Sequence, residues 1–487
     1  MIKHPNTPWT LRFTLAANAL AHPGQDFVSF GAAKTQPLSF SYVDQTPIPI
    51  LRVQITTTSH EQPLSLGVPL GILKTDQKHD FLLRYLGYRV DLFCDGVLLD
   101  QEWPMGNLQF ASDSYTATFH EPFERPELRM GLLSDDGVDA LYGGKAAVGE
   151  RANRMLGPEP TEAQYMKPRG WDTNAGDAMP FYHDGTFHLF YLIDRRHHHS
   201  KWGLGAHQWA HISSTDLIHW TSYPIALPIT EQWEGSICTG SVFYDKGTYY
   251  AFYATRMPDR KERLAMALSK DGVHYEKVLP TPFMVPKAPF RQGPNRDPHV
   301  NRDGNGFLML VTAALEARKK GQDQGALEQL KSEDLQHWSA LETPFLLPGY
   351  SPQPECSDLF EWRGRFYLLF GVAGITHYRI GSSLHGPWSK PDIDTLDAEE
   401  ARVMKTAAFH NDRRILVGWV GYDNFGGNLI FRELVQNPDS TLGTKLVKEM
   451  LPHNEQQKTM IHVGKDHSSA PLNLDSEVRL SRGRPTV

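Results

Sequence analysis

Three acidic residues stand at matching points of three similar stretches. Asp177 heads the run from Asn174 to Tyr191. Asp297 sits in Asn295-Arg296-Asp297-Pro298, and Glu355 opens Glu355-Cys356-Ser357-Asp358. Behind each comes a two-residue turn signal and then an apolar strand. The turns are Asp184-Gly185, Asp303-Gly304 and Arg363-Gly364, and the strands are Phe187 to Tyr191, Gly306 to Val311 and Arg365 to Phe370. Such a pattern predicts a tight antiparallel hairpin each time. Converging carboxylates are the equipment of acid–base and nucleophilic catalysis. If the hairpins ring a common axis, Asp177, Asp297 and Glu355 meet at one point, which is the expected active site.

The elements that must hold them repeat. Apolar inner strands are expected at His188 to Tyr191, Thr248 to Tyr253, Gly306 to Val311, Phe366 to Phe370 and Ile415 to Trp419. The first four are followed by a strand ending in a polar corner with an aromatic. These corners run Ser214 to Trp220, Ser269 to Tyr275, Ser332 to Trp338 and Ser382 to Trp388. A repeat of this size with several short strands per unit is the mark of propeller blades, here five. A single large sandwich would leave the recurring corner unexplained.

Ahead of the repeats, Leu51-Arg-Val-Gln-Ile-Thr alternates apolar and polar with period two. Phe81 to Leu99 reads as strands broken by an Asp95-Gly96 turn. The stretch from Asp91 to Gly106 resembles the jelly-roll sandwiches of the concanavalin-like class, either as a purely structural module or as a carbohydrate binder. Leu156-Gly-Pro-Glu-Pro160 reads as a linker. The expected fold is therefore all-β: a concanavalin-like sandwich over 1–155, a five-bladed propeller over 160–452 and a polar tail over 453–487. Within the tail, Leu472 to Leu480 is a candidate last strand on the sandwich.

With 487 residues the chain is long enough for two or three domains. Its charged content of 22% and hydrophobic content of 40% fit a soluble globular protein. A net charge of -7 leaves no electrostatic case for nucleic acid. Three cysteines, Cys94, Cys238 and Cys356, lack metal spacing and a disulfide framework. No run has the length of a membrane span, and the start does not read as a secretory signal. The expectation is a cytoplasmic protein with neither nucleic acid nor membrane as partner. Oligomeric state is left open.

In order along the chain, several blocks resemble glycoside hydrolase family 32, the β-fructofuranosidases, invertases, inulinases and levanases. Arg296-Asp297-Pro298 matches R-D-P. Glu355-Cys356-Ser357-Asp358-Leu359-Phe360 matches E-C-P-D-L-F with serine for proline. Trp202-Gly203, His207 to His211 and Asp216 to Trp220 are similar to its W-G, H-W-G-H and D-L-V-H-W blocks. Arg413 to Trp419 and Phe431 to Leu434 resemble R-R-I-L-x-G-W and P-R-E-L. Two departures stand out. The W-M-N-D-P-N-G block is largely replaced by Trp171 to Pro180, where Asp177 fits the nucleophile best and Asp172 second. The family's sandwich usually follows the propeller, whereas here it precedes it.

The resemblance implies a carbohydrate partner, a fructoside or related furanoside, and retaining hydrolysis of β-fructofuranosidic bonds with no cofactor. No catalytic metal is expected either, since the carboxylate set is complete without one and no convincing ligand set stands in the sequence. It makes Glu355 the acid/base, Asp177 the nucleophile and Asp297 the stabiliser of the transition state. Retention asks for about 5–5.5 Å between the carboxyls of Asp177 and Glu355. Arg296 is expected to bind sugar beside Asp297, with Asn174, Trp202, Trp233 and Lys405 as further substrate-binding candidates. The run Arg195 to His199 reads as an exposed or site-rim loop rather than a ligand set. A family 43-like arabinofuranosidase, a fructosyltransferase and a non-catalytic glycan-binding propeller remain the alternatives.

Overall fold

The computed structural model describes residues 7–451 except 17–25, 31–37, 44–49, 61, 75–76, 108–116, 120–123, 279–289, 291–294, 316–323, 351, 398–400 and 422. The tail with its candidate strand lies outside these. Two five-stranded antiparallel sheets come first. One runs in space Glu124–Met130, Trp9–Ala16, Lys78–Tyr85, Val90–Cys94, Val97–Glu102. The other runs Leu64–Pro69, Ile50–Ile55, Leu38–Val43, Asp26–Phe30, Ala117–Phe119. The period-two pattern turns Leu51, Val53 and Ile55 inward, where they share a core with Leu11, Phe13, Phe81 and Leu83 of the facing sheet. Asp95 and Gly96, at φ 50° and 85°, make the expected tight turn.

A purely strand reading of the amino-terminal part misses two helices, Asp135–Leu141 and Lys145–Leu156. Ser134 caps the first, its hydroxyl accepting from Gly137 N at 3.1 Å. The second buries no residue fully, which is why no helical apolar stripe is visible in its sequence.

From Thr173 the chain forms five four-stranded antiparallel meanders. Their first strands are Thr173–His183, Ile237–Asp245, Arg296–Asp303, Glu355–Trp362 and Ala401–Phe409. We call these inner strands one to five, because each packs against the next and the fifth against the first, in a closed ring. The ring is fastened where Ala175 pairs with Gly427 and where Tyr165 and Met166 exchange backbone hydrogen bonds with Leu429 at 2.8 and 2.9 Å. The strongly apolar strands expected to be innermost are in fact the second of each meander. They are hydrogen-bonded on both sides and covered on both faces, so they read as continuous apolar runs. The innermost strands face the central pocket and mix polar residues in.

At the outer ends three of the four recurring corners repeat one hydrogen-bond scheme. Asp216 Oδ1 accepts from Ile218 N and His219 N, both at 2.8 Å, and Oδ2 faces His219 Nδ1 at 2.7 Å. Asp271 with His274 and Asp334 with His337 do the same. These carboxylates are spent on their own turns. No helix among the described residues is long and apolar enough to cross a membrane.

Candidate active site

All five inner strands break register at the same level. The breaks fall between Ala175 and Ala178, Ile237 and Gly240, Arg296 and His299, Glu355 and Asp358, and Arg402 and Lys405. A β-bulge re-aims side chains that a regular strand would alternate between faces. Here the residues at the breaks turn into one cavity of about 410 Å³: Asp177, Cys238 and Thr239, Arg296 and Asp297, Glu355 and Cys356, Arg402 and Val403. Asp297, Cys356 and Val403 have left-handed backbones at φ 58°, 51° and 45°. For a β-branched valine that costs on the order of 1–3 kcal/mol, a strain kept where the surroundings enforce it.

The three sequence-derived carboxylates all line this cavity. Asp177 accepts from Thr239 Oγ1 at 2.7 Å and from Trp419 Nε1 at 2.9 Å, and Cys356 Sγ lies 3.8 Å from its Oδ2. Burial raises its pKa to about 6; the bonds from Thr239 and Trp419 pull it down, while Asp297 and Glu355 push it up. Asp297 Oδ2 accepts from Thr312 Oγ1 at 2.8 Å and Cys356 N at 3.0 Å. Arg296 joins the other two, with Nη2 on Glu355 Oε1 and Nε 3.6 Å from Asp297 Oδ2. Burial works against the Arg296 charge, but Glu355 and Asp297 outweigh it and hold its pKa above the ordinary value.

A second wall comes from the loop after the second strand of the first meander. Arg196, His197, His198, Lys201 and Trp202 all have positive φ, between 47° and 73°. The amino-terminal sheets hold this loop in place. Glu102 accepts from Lys201 N at 2.6 Å, Asp100 pairs with Arg196, and Trp202 Nε1 donates to Gln62 O at 3.0 Å. The loop thereby delivers His198 to the cavity. Arg256 Nη1 donates to His198 Nε2 at 2.7 Å, and Arg256 Nε lies 3.3 Å from Glu262 Oε1. Behind them, His198 Nδ1 lies 3.1 Å from His207 Nε2, which is 2.8 Å from Asp194 Oδ1. Burial drives the pKa of His207 down to about 3 and lowers that of His198 as well, and it raises that of Asp194 to about 8.

Other expected site residues lie elsewhere. Asp172 is in a buried ion cluster, 2.7 Å from Arg195 and 3.6 Å from Arg196, away from the cavity lining. Trp202 stacks on His60 at 3.7 Å, its indole turned to the amino-terminal sheets instead of to a sugar. Trp233 is half-buried in a segment whose neighbour Gln232 bonds Gly87 O at 2.7 Å, and it does not line the cavity. Lys405 is buried and bonds Gly240 O at 3.0 Å, tying inner strand five to inner strand two. Asn174 is buried one step before the first bulge. Sequence reading missed Thr239, Arg256, Glu262, Arg402 and Phe425 as lining residues. Only the position of Trp419 inside a recognisable block offered a signal.

Residues 168–427 match the description "Glycosyl hydrolases family 32 N-terminal domain". The chain is 29% identical over 368 residues to a sucrose-6-phosphate hydrolase of Zymomonas mobilis, covering 67% of this chain and 69% of that protein. It is 28% identical to the levanbiose-producing levanase of Bacillus subtilis, covering 54% of this chain but only 48% of the levanase. Among solved structures, a variant of fructan 1-exohydrolase IIa from Cichorium intybus in complex with 1-kestose superposes with a TM-score of 0.51 at 18% identity. That overlap covers 61% of this chain and 62% of the exohydrolase and shows a shared fold.

Proposed function

The chain belongs to glycosyl hydrolase family 32, and from that premise we propose that it hydrolyses β-fructofuranosidic bonds in sucrose-like fructosides or fructo-oligosaccharides with retention. The observation that carries this reading is the meeting of Asp177, Asp297 and Glu355 in one cavity, with Arg296 joining the last two. Asp177 attacks the anomeric carbon as Glu355 gives a proton to the leaving oxygen, and the bond to the aglycone breaks. Glu355 then takes a proton from water, which attacks the same carbon and frees Asp177. A nucleophile with a pKa of about 6 is mostly ionised at neutral pH. Asp297, fixed by Thr312 and Cys356 N, accepts from sugar hydroxyls as charge develops on the ring.

We read residues 1–155 as a sandwich that braces the pocket and 160–452 as the catalytic propeller. The clamp from Asp100 and Glu102 to the loop at Arg196 supports a bracing role over a separate sugar-binding one. Action in the cytoplasm is supported by three free, buried cysteines, and small fructosides are the substrates we assign to that compartment. The test is incubation with sucrose, sucrose 6-phosphate, short fructo-oligosaccharides, levan and aryl arabinofuranosides, with the anomer first released followed by NMR. Release of fructose in the β-form is expected. Activity confined to arabinofuranosides, or first release of the α-anomer, rejects the reading.

A further inference from the structure

The cluster of Asp194, His198 and His207 plays no part in the chemistry above. Its three facing atoms, Asp194 Oδ1, His198 Nδ1 and His207 Nε2, lie within 4.8 Å of one another, the two imidazole nitrogens 3.1 Å apart and the carboxylate 2.8 Å from His207. Ligands bound to one ion at about 2.0–2.1 Å sit roughly 2.9–3.4 Å apart, according to octahedral or tetrahedral geometry. Two neutral imidazoles and a carboxylate are a donor set for zinc and similar first-row divalent metals. Asp194 and His207 are buried, and no Lys or Arg pairs with Asp194 among the described residues.

The second cluster of this kind, His79, Cys94 and Asp95, is different. Both ring nitrogens of His79 are already engaged, with Asp95 at 2.7 Å and Lys74 O at 3.0 Å. His207 Nε2, by contrast, faces two partners at once, and a single proton there can serve only one of them.

We propose that Asp194, His198 and His207 bind one divalent transition-metal ion of the zinc type in the pocket wall. His198 and His207 also line the cavity, so the ion would sit beside the space a ligand fills. One neighbour reports on occupancy. Arg256 donates to His198 Nε2, which requires that nitrogen to be unprotonated. A neutral imidazole ligating through Nδ1 carries its proton on Nε2. Metal binding therefore moves Arg256 off His198 and onto Glu262, whose carboxylate is already 3.3 Å away. The site does not depend on the hydrolase reading.

The experiment uses untagged, chelator-treated protein titrated with Co²⁺, followed by visible absorption, and with Zn²⁺, followed by calorimetry. One equivalent of saturable uptake is expected. His207→Ala and Asp194→Asn should each weaken it at least tenfold, and His79→Ala should leave it unchanged. Arg256→Gln, which replaces a competing donor with an acceptor for Nε2–H, should tighten it by about tenfold, the scale of outer-shell effects. No saturable uptake by the unmutated protein overturns the proposal even if the variants fail to fold. Equal uptake in folded His207→Ala overturns it too.

Discussion

Carboxylates sit at two levels of this ring, the outer corners and the inner bulges, and their hydrogen bonds tell the two sets apart. At the outer corners, Asp216, Asp271 and Asp334 accept from the adjacent histidine and from backbone N–H groups of their own turns. These bonds hold the pKa of each below the usual carboxylate range. At the inner bulges, Asp177 takes its partners from other meanders, Thr239 and Trp419, and burial beside two more carboxylates raises its pKa. A corner carboxylate is thus a closed local device. A bulge carboxylate is held from a distance and left reactive. Residue type and repeat position alone would not separate the sets; where the hydrogen bonds go does.

The sharpest way to break the comparison is to neutralise one member of each set. Asp177→Asn should lower kcat by about 10⁴-fold or more, as loss of a nucleophile does, with the melting temperature little changed. Asp172→Asn is the control. It disrupts a buried ion cluster, where removing one partner costs about 3–5 kcal/mol, so its damage should show first in stability. If Asp172→Asn is dead yet stable while Asp177→Asn retains activity, the roles are reversed.

Glu355→Gln comes next, with a loss of about 10²–10⁴-fold. The loss should be large for alkyl leaving groups and small for an activated aryl fructoside. Equal losses on both would remove Glu355 from the acid role. Smaller, about 10- to 100-fold, is the expected effect of Glu102→Gln, which frees the loop carrying His198 and misplaces the second wall. It should be read as kcat/KM alongside melting temperature.

The pH profile refines the inner set further. Asp177 must be ionised to attack, so kcat/KM should fall as pH drops through about 6. Thr239→Val removes a bond that favours the ionised form and should shift this acid limb upward. Asp297→Asn removes a like charge and should shift it downward, whatever it does to the rate. The smallest effect belongs to the corners. Asp271→Ala should cost on the order of 1 kcal/mol in stability, as loss of a turn or cap acceptor does, and leave kcat/KM unchanged within error.

How far the site was legible follows from how local each signal is. Asp184-Gly185 and Arg363-Gly364 specify their turns within two residues, and both have the expected positive φ. Asp297 and Glu355 sit in short blocks that survive in this chain. The second wall carries no such mark. His198 and Arg256 are 58 residues apart and meet only because Glu102, 99 residues from Lys201, anchors the loop between them. Trp202 shows the same limit: its block matched, but its indole contacts His60 and Gln62 and does not line the pocket. The proposed ligands are scattered in sequence: Asp194 and His207 flank the histidine run that was read as a loop. Of the three consecutive histidines, His198 alone belongs to the cluster.

The fastening of the ring also sets a clock. Asp177 lies 242 residues before Trp419, its hydrogen-bond donor, and Tyr165 pairs with Leu429. A ribosome adding about 5–20 residues per second needs roughly 10–50 s to cover that span. From its completion at Ser222 onward the first meander has no neighbour on its open side. The pocket cannot form a piece at a time, since its nucleophile and the indole that orients it arrive at opposite ends of synthesis. Activity should appear abruptly, and only after the fifth meander has left the ribosome.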